Sequence, residues 1–283
     1  MENIILSNYP QDILFLIATK LNLPEILNLC ETNKEIDRKL YQIWNYKIGK
    51  VLDQESVQML REKTLNSKKL YELIHSLMKI KEVFKIDKNI YKLYMTNKLY
   101  LYNTKISEIP KEIGVLSNLQ ILQLINNGIT KIPKEIGVLS NLQELDLTNN
   151  DISEISEELF KLSKLKLLSL TANQILNIPK EIEKLTNLEL IYLSHNKITE
   201  IPKELCNLSN LKELRLYSNR ITEIPKELGK LSKLEKLDLM HNKISEIPIE
   251  LGNLSSLQEL YVHENLFSYI REKLFHLPFI NLY

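Results

Sequence analysis

The sequence has 283 residues, of which 44% are hydrophobic and 26% are charged, as is ordinary for a folded domain. Lysine and arginine total 37 and aspartate and glutamate total 36, so the formal net charge at pH 7 is only +1. This balance argues against nucleic acid or a membrane surface as the main partner, since both need a basic surplus. Cys30 and Cys206 have neither disulfide nor zinc-site spacing, and no signal sequence is recognisable. We therefore expect a cytoplasmic protein without a cofactor, and a monomer.

Residues 1–50 predict a small all-α domain of three short amphipathic helices. Ile13 and Ile17 share one face of the first helix. Pro24 opens the second helix, and the third runs toward Trp44. Three helices of this size are marginally stable alone, so we expect their apolar surface to be covered by a partner or by a neighbouring domain.

The order of residues in this segment resembles an F-box. The family has a Leu-Pro opening, an Ile-Leu helix, a Ser-Lys turn and a tryptophan near its end; the residues that correspond are Pro10, Ile13, Leu14, Ile17, Leu21, Leu23, Ile26, Leu27, Cys30, Asn33, Lys34 and Trp44. The chain departs from the family at Tyr9, which replaces the leucine, and at Glu35, which follows the lysine.

The resemblance implies that this segment docks on the Skp-type adaptor of a cullin–RING ubiquitin ligase. The apolar anchors that it implies are Pro10, Ile13, Leu14, Ile17, Leu27 and Trp44. The other interpretation is that residues 1–50 form an ordinary helical cap for the part of the chain that follows.

Residues 51–92 predict a helical connector that also caps the next domain. Apolar side chains from Leu70 to Ile80 recur at helical spacing. The short apolar runs Phe84–Ile86 and Leu93–Met95 predict irregular strands at the edge of that domain.

A repeat of 23 residues dominates residues 93–283. The element Leu-x-x-Leu-x-Leu-x-x-Asn-x-Ile begins without a slip at Leu119, Leu142, Leu165, Leu188, Leu211, Leu234 and Leu257. Its asparagines are Asn127, Asn150, Asn173, Asn196, Asn219, Asn242 and Asn265. A degenerate repeat precedes these around Leu99, and an incomplete one begins at Ile280. Such a fixed period is typical of stacked repeats that bury one continuous core.

Each repeat predicts two structural halves. The alternation of Leu122 and Leu124 predicts a short strand, and the spacing from Ile129 to Leu139 predicts a 3₁₀ or short helix opened by Pro133. The segment Ile132–Leu142 resembles the intracellular class of the leucine-rich-repeat family. The resemblance implies an α/β fold: a leucine-rich-repeat solenoid with a curved parallel sheet and convex 3₁₀ or short helices.

A protein-binding surface is predicted on the concave face of the last four repeats. Tyrosine and arginine dominate interface hot spots because they bury a large area and keep a polar end. The candidate residues are Tyr192, His195, Arg215, Tyr217, Asp238, Met240, His241, Tyr261 and His263. The middle repeats carry smaller side chains at the same positions.

The sequence predicts a binding protein without enzymatic activity. His195 and His241 are two repeats apart, about 10 Å by strand spacing, and no third ligand completes a metal site. The leading hypothesis is a substrate-recruiting subunit of a cullin–RING ligase. The alternative is a scaffold that binds a small GTPase or a phosphatase. The isoleucine-, lysine- and asparagine-rich composition resembles that of proteins from large DNA viruses of protists or of injected bacterial effectors, which implies action in a host cytosol.

Overall fold

The computed structural model describes residues 59–60, 67–263 and 281–282. The chain divides into two compact units: the first ends at Tyr94, and the second comprises residues 82–86 and the chain from Met95 onward. The predicted F-box-like helices, including all six apolar anchors, lie outside the described residues and stay a prediction.

From residue 67, the described part of the predicted connector is mainly helical, as its apolar spacing predicts. Helix α1 spans Ser67–Phe84, and the apolar side chains of Ile74, Leu77 and Ile80 are buried. Phe84 continues the same series four residues after Ile80 and is fully buried. The predicted strand over Phe84–Ile86 is therefore wrong: Phe84 is the last residue of α1.

The second predicted strand at this edge is also wrong. Leu93 lies in a short helix α2, Ile90–Tyr94. The side-chain oxygen of Asn89 accepts hydrogen bonds from the backbone N–H groups of Tyr91 at 2.9 Å and Lys92 at 3.2 Å. This arrangement caps the first turn of the helix, which explains why a short apolar run adopts helical structure here.

The repeats form one parallel sheet of nine strands in sequence order. The strands are β1 Lys98–Tyr100, β2 Ile121–Gln123, β3 Glu144–Asp146, β4 Leu167–Ser169, β5 Leu190–Tyr192, β6 Glu213–Arg215, β7 Lys236–Asp238, β8 Glu259–Tyr261 and β9 Asn281–Leu282. From β1 to β8 each strand pairs with the next at a shift of 23 residues, as Leu122 does with Leu145. The central residue of each of these eight strands points into the core, so the two flanking residues project from the opposite face.

In the repeats whose second half the structure describes, that half is a 3₁₀ helix, as predicted. These helices are η1 Lys111–Val115, η2 Lys134–Val138, η3 Glu157–Lys161, η4 Lys180–Lys184, η5 Lys203–Asn207, η6 Lys226–Lys230 and η7 Ile249–Asn253. The residue before each one is extended; six of these residues are proline, and Ser156 adopts a similar conformation with φ of −61°. The proline thus favours this conformation but is not required for it.

A ladder of inward-facing asparagines joins successive repeats. The side-chain oxygen of Asn173 accepts the backbone N–H of Ile152 at 3.0 Å. Its amide donates to the carbonyl oxygens of Leu147 at 2.9 Å and Leu170 at 3.1 Å. Asn150, Asn196 and Asn219 repeat this pattern and are also buried. The asparagine is therefore a structural residue that satisfies backbone groups of the bend leaving each strand.

Candidate protein-binding surface

The outward-facing residues of strands β5 to β8 lie side by side across the sheet. In-register pairing places Tyr192 beside Arg215, Arg215 beside Asp238, and Asp238 beside Tyr261. Neighbouring strands in a sheet are about 4.8 Å apart, so these four side chains span roughly 14 Å. The structure thus brings together residues that the 23-residue period separates in the sequence.

One cluster forms around Glu213, a residue that the sequence analysis did not select. Its carboxylate accepts a hydrogen bond from the Tyr192 hydroxyl at 3.1 Å. It also accepts two from the guanidinium of Arg215, at 3.1 and 2.8 Å. The guanidinium carbon lies 4.6 Å from the centre of the Tyr192 ring, which allows a cation–π contact. Burial and the nearby Glu213 carboxylate raise the pKa of Tyr192, so its hydroxyl remains a donor.

A second cluster of the same kind forms two repeats further on. The ammonium group of Lys236 forms an ion pair with Glu259 and lies 5.0 Å from the centre of the Tyr261 ring. The Tyr261 hydroxyl donates to Glu259 at 3.0 Å. The hydrogen bond from Lys236 holds the pKa of Glu259 below its usual range. Ion pairs that are partly open to solvent add little stability, so the main effect of both pairs is to fix the orientation of the two tyrosine rings.

Asp238 lies between the two clusters. Burial raises the pKa of its carboxyl group, and the backbone N–H of Met240 and the positive charge of Arg215 oppose that rise. The Met240 N–H donates to the carboxylate at 3.2 Å. A half-buried carboxylate between two cations is a suitable acceptor for a polar group of a partner.

Three rings form a row along the edge of the same surface. The ring centres of His195 and Tyr217 are 4.9 Å apart, as are those of Tyr217 and His241, and both contacts are edge-to-face. His195 and His241 have positive φ angles of 55° and 52°, in the left-handed region that asparagine occupies in several other repeats. We call His195, Tyr217 and His241 the aromatic row. Sequence reasoning selected all three residues but did not predict their contact.

The nine residues selected from the sequence are all described by the structure. Eight of them belong to the two clusters, to the aromatic row or to the surface between these, with Met240 half-buried beside Asp238. His263 is exposed at the end of the described solenoid segment. Sequence reasoning missed Glu213, Lys236 and Glu259, although each lies two residues before a selected position and therefore on the same face of its strand. We call these twelve residues the C-terminal patch.

The first repeats carry a different polar surface. Tyr100 and Tyr102 are 45% and 46% exposed, and their ring centres are 6.3 Å apart. The Tyr102 hydroxyl donates to Gln123, whose amide in turn donates to Glu144. In the middle repeats Thr148 donates to Asp146 at 2.6 Å. Most of these polar side chains hydrogen-bond to one another.

Groups suited to catalysis or metal binding are sparse in the described segments. No cluster of three or more histidine, cysteine, aspartate or glutamate residues occurs there. Cys206 is buried on η5, and burial raises the pKa of its thiol to about 12, so it stays protonated and unreactive. Among the described helices, none combines the length and the apolar character that crossing a membrane requires.

The parallel sheet, the 3₁₀ helices and the asparagine ladder define a repeat protein of the solenoid class with an exposed polar and aromatic face. A family profile described as the leucine-rich repeat region matches residues 111–218 and 202–277. The chain belongs to the leucine-rich-repeat family. Repeats of this family are in general protein-interaction modules.

Solved structures show the same fold. A leucine-rich-repeat protein of Leptospira interrogans is 38% identical over 65% of this chain, with a TM-score of 0.62, and the chain spans about half (48%) of that protein. Internalin C2 of Listeria monocytogenes is 28% identical over 74% of this chain and 92% of its own, with a TM-score of 0.59. No curated protein sequence matches the chain.

Proposed function

We propose that the chain is a recruiting protein that holds a target on the C-terminal patch. The observation that carries this proposal is the fixed arrangement of Tyr192 and Tyr261, each oriented by a glutamate and covered by a cation. Rigid aromatic side chains with a polar end bind at low entropic cost, which is the property of an interface hot spot.

The finer proposal is that the target is delivered to a cullin–RING ubiquitin ligase. It rests on the F-box-like order of residues in segment 5–50 and on the position of that segment ahead of a protein-binding solenoid. Such a subunit would act in the cytosol of a eukaryotic cell, and that location is part of the proposal. In this arrangement residues 1–50 bind the adaptor and the solenoid selects the target.

Adaptor binding tests the finer proposal. The full chain is expected to bind a purified Skp-type adaptor in isothermal titration calorimetry. The double variant Ile13→Asp/Ile17→Asp is expected to lose this binding, because a charge on the docking face of the first helix cannot be desolvated without a large penalty. Absence of binding at high micromolar adaptor would contradict the ligase role and leave a scaffold whose N-terminal segment is a cap.

Photo-crosslinking tests the C-terminal patch independently of the adaptor. A photoreactive phenylalanine derivative in place of Met240 is expected to give a discrete adduct in a eukaryotic cytosolic extract. The matched control places the same group at Val138, which is 60% exposed on η2, away from the sheet. The adduct should be lost when Arg215→Glu is added to the Met240 probe. Equal adducts from both positions, or an adduct insensitive to Arg215→Glu, would contradict the patch as the target site.

A further inference from the structure

A row of cations borders the C-terminal patch at the residue that follows each ladder asparagine. We call Lys197, Arg220 and Lys243 the cation row. The equivalent residues of the three preceding repeats are Gly128, Asp151 and Gln174. The fold therefore accepts a small, an acidic or a neutral residue here, and the three consecutive cations are not a requirement of the repeat.

The cation row is stacked by backbone hydrogen bonds between repeats. The N–H of Arg220 donates to the carbonyl oxygen of Ile198, and that of Lys243 to Ile221, both at 2.8 Å. With about 4.8 Å between repeats, the three charges span roughly 10 Å along the solenoid axis.

The charges of the cation row are available to a partner. In the described segments none of the three forms an ion pair, whereas Lys212, Arg215 and Lys236 in the same repeats all pair with glutamates. Arg220 and Lys243 are exposed and Lys197 is half-buried. A partner carboxylate can therefore bind them without first breaking an internal pair.

The aromatic row runs parallel to the cation row. His195 precedes Lys197 by two residues, and His241 stands in the same relation to Lys243, so the two rows are at most about 7 Å apart along the chain. Tyr217 fills the space between the two imidazoles. The edge thus offers a strip of ring surface beside a strip of positive charge, which suits the backbone and the acidic side chains of an extended peptide.

A row of glutamates close to the cation row limits the kind of anion that can bind there. Glu200, Glu223 and Glu246 follow the cations by three residues, and the last two line a separate groove with Thr222 and Ser245. Their negative charge, roughly 10 Å from the cations along an extended chain, disfavours a continuous polyanion such as a nucleic acid. Spaced carboxylates confined to one side of a peptide avoid that repulsion.

We propose that the cation row and the aromatic row together bind an extended acidic segment of the partner protein, aligned with the solenoid axis. This inference rests on the proposed function, because it names the chemistry of the partner that the last four repeats hold. In an extended segment, acidic side chains at alternate positions lie roughly 7 Å apart on one face, within reach of long lysine and arginine side chains on successive repeats.

The test is fluorescence anisotropy with the purified full chain and a labelled, end-capped octapeptide of alternating threonine and glutamate. The expected result is binding that a threonine–glutamine octapeptide does not show and that weakens as ionic strength rises. The variant Arg220→Glu/Lys243→Glu is expected to weaken it about tenfold or more, since each change removes an attraction and adds a repulsion. The control Lys203→Glu/Lys226→Glu makes the same change in charge on η5 and η6 and should alter binding by less than about twofold.

Three outcomes would overturn the inference: equal binding of the two peptides, equal loss in the two double variants, or tighter binding of an oligothymidine than of the acidic peptide. The Met240 crosslink separates this failure from failure of the proposed function. If the Met240 crosslink persists but the chain binds the acidic peptide no better than the threonine–glutamine peptide, only the acidic-segment inference is overturned. If the Met240 crosslink is absent as well, the proposed function is overturned too.

Discussion

Replacement of Asn173 by alanine is expected to lower the free energy of unfolding by about 3 kcal/mol. The variant leaves the buried N–H of Ile152 without its acceptor. The carbonyl oxygens of Leu147 and Leu170 each lose one of two asparagine donors and keep the other, from Asn150 and Asn196. A buried polar group that loses its partner costs about 1–3 kcal/mol, and Asn173 is only 4% exposed, so water cannot readily replace the amide. Aspartate in its place would accept one of these bonds but oppose both carbonyl oxygens.

Urea unfolding followed by circular dichroism measures this effect, with Asn187→Ala as the matched control. Asn187 is exposed, and its amide donates only to the carbonyl oxygen of Ser163, at 2.7 Å. Its replacement should cost less than about 1 kcal/mol, because water can take over a single exposed hydrogen bond. A loss below about 1 kcal/mol for Asn173→Ala, or equal losses in the two variants, would contradict a structural role for the ladder.

The fold was predictable because every repeat supplies the same information. Three features recur at a period of 23 residues: the alternation of Leu122 and Leu124, the helical spacing that follows, and the asparagine. A repeat that departs from the pattern can therefore be interpreted by comparison with its neighbours. The connector has no such redundancy. Its short apolar run around Leu93 is compatible with a strand or a helix. The side chain of Asn89 caps the first turn and thereby stabilises the helix.

The composition of the C-terminal patch was only partly predictable. Period-two alternation puts Glu213 and Arg215 on one face of β6, so a signal for the missed glutamate was present in the sequence. Which side chains touch was not predictable, because the Tyr192–Glu213–Arg215 contacts depend on side-chain rotamers in two adjacent repeats. The same limit applies to the aromatic row: the period places His195 and His241 two strands apart, but only the structure shows that the ring of Tyr217 contacts both imidazoles.

Replacement of Gly229 by alanine is expected to destabilise the solenoid by about 2 kcal/mol. A Cβ atom at this position would lie 2.1 Å from the carbonyl oxygen of Glu250 and 2.8 Å from its carbonyl carbon. Both atoms belong to the backbone of η7, so the clash cannot be relieved by a change of rotamer. Overpacking that forces the backbone to move costs about 1–3 kcal/mol.

Gly128→Ala is the matched control for this prediction. The nearest atom to a Cβ atom there is the carbonyl oxygen of Ile106, at 3.7 Å, which is an ordinary contact, and the φ angle of Gly128 is not positive. Alanine at this position should be neutral or stabilising by up to about 1 kcal/mol, because it restricts the unfolded chain. Comparing the stabilities of the two variants distinguishes a clash between neighbouring 3₁₀ helices from a general effect of replacing a glycine.

The loss of stability caused by Gly229→Ala should be confined to the repeats next to η7. Each repeat of a solenoid contacts only its neighbours, so a displaced η7 leaves the first repeats as they were. Amide hydrogen exchange is expected to accelerate in residues 245–263 and to stay unchanged in residues 98–150. Uniform acceleration across both ranges, or no change in stability, would contradict the close contact. Because the C-terminal patch spans the repeats on either side of η7, the same variant should reduce the Met240 crosslink, whereas Gly128→Ala should leave it intact.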